Sequence, residues 1–272
     1  MALLLVVSGF LTMNVFADLS DDRGIAAEVD RNAAVRTRGN IEVRSLDGSL
    51  SVSALDDFAD LAAKGAADIA KFTNVPAPRH IVIYLSPRVS ISHTYPHFPA
   101  SPDHAPRLFI DSERVADHAA PYLHELVHAV AGNGGAMWLE EGFASWVASS
   151  VAAQYGGYYA PVLSNTNDRV DEQARAVLAR IGSGDEIAAW FSSRVAPEFA
   201  TQRERRGFYI AAHSFTKFLA QSLGTPELVR VHRANDIHAL ARISGVSLDE
   251  WEQRWRRSLG VGITSAQIGG PR

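Results

Sequence analysis

Apolar and polar positions alternate from Ile41 to Ser45, and the run ends at Asp47-Gly48. That pattern predicts a half-buried strand followed by a turn. From Ser53 to Phe72 the period lengthens. Leu55, Phe58, Leu61, Ala62 and Ile69 recur at helical spacing, which predicts a helix with Ser53 as its cap. Pro76 and Pro78 interrupt the chain. Ile81, Val82, Ile83 and Tyr84 then form a continuous apolar run within His80 to Leu85, the signature of a strand buried on both faces. Ser86 to Pro106 shows neither period and is rich in Pro and Ser, so it reads as a long loop. Arg107 to Asp111 reads as a short strand, expected at a sheet edge where a peptide can pair.

Downstream the helical period dominates. Pro121 to Ala131 is an apolar helix-like run opened by proline and closed by Gly132, Asn133, Gly134 and Gly135, which let the chain reverse. Met137 to Ala153 follows, with Leu139, Phe143, Trp146, Val147 and Val151 as its stripe. Gly156 to Pro161 ends it. Further helices are predicted over Asp168 to Ile181 and Gly207 to Leu223, with a Trp190-Phe191 segment between them. Gly224 precedes a helix with Thr225 as N-cap and Pro226 at N1. Ser247 and Glu250 have the spacing of a capping box before a last helix reaching Leu259. The expected fold is α+β: a strand-containing lobe over residues 18–116, then paired helices and a helical lobe over 117–272, with a cleft between.

Composition narrows the chemistry. The chain has 272 residues and a net charge of -4, and its Arg203–Arg206 and Arg254–Arg257 clusters are interleaved with acid or lie on predicted helices. No nucleic-acid partner is expected. Cysteine is absent, which excludes disulfides, thiolate metal sites and a Cys nucleophile. Residues 1–17 are almost wholly apolar and end in Val15-Phe16-Ala17 before a polar stretch, as in an export signal peptide, although no Lys or Arg precedes the run. The chain is therefore expected in the periplasm or secreted, and at a membrane only if that segment stays as an anchor.

The chemistry centres on His124-Glu125-Leu126-Val127-His128. Residues four apart share one helix face about 6 Å apart along the axis, so both imidazoles can meet one metal ion. Glu125 then sits beside that ion, placed to accept a proton from its water. A catalytic zinc takes three protein ligands and leaves one position open. Without cysteine the third must be His, Asp or Glu. The glycine turn folds Trp138-Leu139-Glu140-Glu141-Gly142 back towards both histidines, and by spacing either Glu140 or Glu141 can serve. His93, His97 and His104 match no ligand spacing and are expected in a solvated loop near the cleft.

H-E-x-x-H followed by W-L-x-E-G-x-A resembles the gluzincin zinc metallopeptidases, the thermolysin- and aminopeptidase-like class, and among them the compact bacterial domains of the peptidase MA kind. The strong matches span Leu123 to Val130 and Trp138 to Trp146, with weaker similarity across Ile81 to Leu259. The resemblance implies a zincin-like fold and a Zn2+ ion on His124, His128 and Glu141, since in the aminopeptidase branch the Glu before Gly is the ligand. It also aligns Tyr209, in Tyr-Ile-Ala-Ala-His-Ser, with a catalytic tyrosine. His213 lies one helical turn further, so both side chains are expected to help hold an oxyanion. Two departures stand out. Ser145 occupies the position where thermolysin-like enzymes carry an Asp that orients a ligand histidine, so that support is expected from elsewhere. The motif that holds a free amino terminus in the large aminopeptidases is not evident, so their specificity is not implied. The expected activity is hydrolysis of peptides or proteins. The alternative is a zinc-stabilised binding or assembly module of the same fold without catalysis.

Overall fold

A computed structural model of the chain describes residues 19–46, 48–98, 104–159, 166–181, 190–191, 199 and 201–261. The expected export segment, residues 1–17, lies outside the described residues, as do Asp47 and Pro161. No helix among the described residues is long and apolar enough to cross a membrane.

Helix α1 (Leu19–Asn32) leads into β1 (Ala33–Arg38) and β2 (Ile41–Leu46), an antiparallel hairpin with Thr37 opposite Glu42. The alternating run therefore acquires a partner strand that its own pattern did not announce. Helix α2 (Val52–Thr73) carries the chain over to β3 (Ile81–Leu85), which pairs parallel with β2, Val43 opposite Ile83. Parallel neighbours need such a crossover. The cap of α2 is Ser51, whose hydroxyl accepts from the Ala54 N–H at 3.2 Å, and not Ser53.

Two further strands complete the sheet. β4 (His93–Tyr95) lies inside the stretch expected to be loop, and β5 (Arg107–Ile110) pairs parallel with β3 and antiparallel with β4. The order is β1-β2-β3-β5-β4. The Arg107 strand is thus internal, and β4 takes the edge position expected for it. Three residues between Ser92 and Pro96 are too few for a period of two to show in the sequence.

Side chains alternate across the sheet. Ile41, Val43, Ile81, Ile83, Leu85, Leu108 and Ile110 face the main core under α2, while Val82, Tyr84 and Phe109 meet Ile25, Ala26 and Val29 of α1 on the other face. A short α3 (Ser112–Ala116) follows, capped by Asp111. Then come α4 (Tyr122–Ala131), α5 (Met137–Tyr155), α6 (Val170–Ile181), α7 (Gln202–Leu223), α8 (Thr225–Arg233), α9 (Ala239–Ser244) and α10 (Leu248–Ser258). The chain is mixed α+β, with its strands in the N-terminal part and a helical C-terminal part. The main core runs without a break from Ile41 to Leu259, across the boundary drawn at residue 117, because α2 packs directly on α4 and α5.

Several helix ends differ from expectation for local reasons. α7 begins five residues before Gly207, where Thr201 accepts from the Glu204 N–H at 3.1 Å. Its first turns are charged and carry no apolar period. Thr225 lies inside α8, and Gly224, at φ +83°, holds the cap position without a side chain. Ser247 does cap α10, accepting from the Glu250 N–H at 3.2 Å.

Candidate metal centre

Helix α4 presents His124 and His128 one turn apart, and α5 returns antiparallel after the glycine turn. Gly132 closes α4 at φ +76°, its N–H donating to the His128 carbonyl. Gly135, at φ +78°, passes so close to the Asn235–Asp236 backbone that an added Cβ would lie 2.2 Å from Asp236 N. Only glycine fits there. That close pass sets where α5 begins, and hence where Glu141 reaches α4.

Three donor atoms converge. His124 Nε2 lies 3.0 Å from Glu141 Oε2 and 3.1 Å from His128 Nε2, and His128 Nε2 is 3.8 Å from Glu141 Oε2. Donors held at 2.0–2.1 Å around a tetrahedral zinc stand roughly 3.3 Å apart, so the observed separations bracket what one ion needs. Lone pairs aimed at each other with little access to water repel unless protons or a cation lie among them. The donor set fits a zinc ion. Among the described residues no other group of His, Asp and Glu converges in this way.

The two adjacent glutamates are now separated. Glu141 faces both histidines. Burial alone would raise its carboxyl, but the hydrogen bond from His124 and the two imidazole charges outweigh burial and hold it below the usual range. Glu140 lies on the outer side, its Oε1 3.9 Å from His128 Nδ1. Burial, then the charge of Glu141, pushes it up to about 8.

Outer contacts hold the candidate ligands. Ser145 Oγ stands 3.3 Å from His124 Nδ1. The hydroxyl at the Asp position therefore does meet the candidate ligand His124, and the expectation that support comes from elsewhere is corrected. It comes in place as a neutral partner, weaker than a carboxylate. One residue after Glu141, an added Cβ on Gly142 would lie 2.3 Å from Thr216 Oγ1 and 2.4 Å from the Ala212 carbonyl. The glycine thus lets α5 press onto α7, the helix that carries Tyr209 and His213.

Glu125 is buried on α4, and the Thr94 hydroxyl of β4 donates to its Oε2 at 2.8 Å while lying 3.0 Å from its backbone carbonyl. β4 is itself anchored. His93 Nε2 and the Tyr95 hydroxyl, on the opposite side of the strand, meet Asp22 Oδ2 of α1 at 2.9 and 2.6 Å. His93 is therefore not a solvated loop residue. It stacks on Phe109 at 5.2 Å and is held above its ordinary value: burial opposes its charge, but Asp22 more than compensates. Sequence reasoning missed Thr94 and Asp22 altogether, and no local signal marks either one.

Tyr209 and His213 part company. Tyr209 is half-buried, and burial followed by the charges of Glu141 and Glu125 raises its phenol well above 10, so it remains an O–H donor. Its hydroxyl makes no protein hydrogen bond among the described residues. His213 is 1% exposed, and its Nε2 donates to Asn167 Oδ1 at 2.7 Å. Asn167 is fixed in turn by Ser149, Ser150 and Lys217. With burial pushing His213 down to about 3, the ring is neutral, and its one N–H is already committed. Nδ1 is then an acceptor, which cannot serve an oxyanion. His213 therefore ties α7 to the Asn167 turn, and its one N–H is committed there.

No protein-family model matches the chain, and no curated protein matches it.

Proposed function

We propose that this chain is a zinc-dependent peptidase of the gluzincin kind. The observation that carries the reading is the convergence of His124, His128 and Glu141 on one point, with Glu125 buried beside them on the same helix turn. A zinc ion held by those three residues would supply Lewis acidity and lower the pKa of a water at the open position towards neutrality. Glu125 takes the water's proton on a carboxylate oxygen and delivers it to the leaving amine. Thr94 occupies Oε2 of that carboxylate, which leaves Oε1 for the proton. Tyr209, protonated and without a hydrogen-bond partner among the described residues, donates to the oxyanion of the scissile carbonyl. The burial of Glu125 and His128 limits competition from bulk water at these contacts.

Metal analysis tests the site. Full-length protein purified without chelator should carry one zinc per chain. Glu141→Ala should lose most of it under the same dialysis, while Glu140→Gln keeps it. A zinc-free wild type, or a Glu141→Ala protein that still binds one zinc per chain, would remove the basis of the proposal.

A further inference from the structure

Beyond the histidine–glutamate centre, at the far end of α4, lies an open cavity of about 620 Å³. Arg79, His80, His97, His104 and Arg233 line it, and no carboxylate does among the described residues. Two of the three loop histidines noted in the sequence therefore meet here, while His93 points the other way. His80 is held by Glu42 at 3.1 Å. Arg79 and Arg233 are exposed and form no ion pair among the described residues. An arginine is always charged, so the cavity mouth carries two positive charges that no described carboxylate pairs. Ala129 to Gly132, at the C-terminal end of α4, also line it. A helix end is worth only about half a negative charge, too little to cancel two guanidinium groups.

Its position matters as much as its charge. Thr94 touches Glu125, and Pro96 and His97 already line the cavity. At no more than about 3.3 Å per residue, the two steps from Thr94 to Pro96 span at most roughly 7 Å. Along α4, three residues separate His128 from Ala131, about 5 Å of rise. β4 is the outermost strand of the described sheet, and an extended peptide beside it would bring a side chain to the cavity two to four residues from the bond being cut.

We infer that this cavity is a subsite for a carboxylate of the peptide substrate, so that the enzyme prefers acidic peptides. The inference rests on the peptidase reading above. A carboxylate can come from an Asp or Glu side chain or from the chain's own C-terminus, and the probes separate these. Three decapeptides serve: one with blocked ends and a Glu three residues from the centre, the same peptide with Gln, and the Gln peptide with a free C-terminus. Zinc-loaded wild type should cleave the Glu peptide with kcat/KM about tenfold above the Gln peptide, in line with two partly solvated arginine–carboxylate contacts. The ratio should approach one in the Arg79→Ala/Arg233→Ala double variant and at 0.5 M NaCl. A preference seen only with the free C-terminus supports the same carboxylate site, taking the chain end. A wild-type ratio of one for both acidic probes, or a ratio that survives in the double variant, overturns the inference.

Anisotropy titration of fluorescein-labelled probes against zinc-loaded Glu125→Gln protein keeps the two readings apart. If wild type cleaves nothing, the peptidase reading fails, and the binding ratio decides the cavity alone. Arginine-dependent tighter binding of an acidic probe upholds a carboxylate site there. Equal binding of all three probes removes it.

Discussion

A glutamate acts as a base only where its oxygens face the water it must deprotonate, and Glu125 owes its direction to Thr94, 31 residues earlier. Thr94→Val keeps the side-chain shape and removes the hydroxyl. Peptide kcat should fall about tenfold or more, with KM and zinc content little changed, as for other losses of a partner that orients a site residue. Thr94→Ser should restore most of the rate. Equal kcat in Thr94→Val and wild type would reduce the contact to packing. His124 shows the same logic in a weaker form. Ser145 is the partner of its Nδ1, and Ser145→Asp should strengthen zinc retention against a chelator, since an ionised acceptor bonds the imidazole N–H more tightly. Unchanged retention would show that the neutral hydroxyl already suffices.

Helix packing decides whether these residues meet. The α5–α7 contact depends on Gly142, where a methyl group would press on the Ala212 carbonyl and Thr216 Oγ1. Gly142→Ala should cost about 2–3 kcal/mol and lower the melting temperature by roughly 4–12 °C, and weaken zinc retention because Glu141 moves with its helix. An unshifted melt would mean that the helices separate without penalty. What could be read in advance follows from how each element announces itself. α4 and α5 were legible because their apolar period, the flanking glycines and the H-E-x-x-H spacing agree. β3 was legible as an unbroken apolar run. β4 was not, because three residues carry no period, and with it went Thr94 and the anchoring of that strand by Asp22. Glu140 and Glu141 are adjacent on one helix and separated by about 100° of rotation. Only the docking angle of α5 distinguishes them, and spacing alone does not encode that angle. The tie made by His213 was not legible either, because a place one turn from Tyr209 says nothing of Asn167, 46 residues away.

Across the molecule, buried histidines give stability a pH dependence with two windows. His93 is raised by Asp22, so its contribution is complete below the unfolded value near 6.5 and is lost as pH rises through its folded value. His213 and His232 are pushed down to about 3 by burial. Their contribution is complete above 6.5 and is lost as pH falls towards 3, at up to about 1.4 kcal/mol per pH unit for each. Thermal melts should therefore peak near pH 6.5. His93→Gln should flatten the alkaline side, and His213→Gln, which keeps a donor for Asn167, should make the acid side shallower. Slopes identical to wild type in both variants would show that other groups set the profile. The whole arrangement, from α1 through β4 to α4, α5 and α7, gives one buried glutamate a hydroxyl partner on one side and three candidate metal donors beside it. The most direct test is the rate at which zinc-loaded Glu125→Gln cleaves a mixed peptide library, set beside zinc-loaded wild type. The expected result is cleavage by wild type and a loss of about 10²- to 10⁴-fold or more in the variant. Cleavage by the variant at the wild-type rate, or none by wild type, would contradict the assignment of Glu125 as the base of a peptidase.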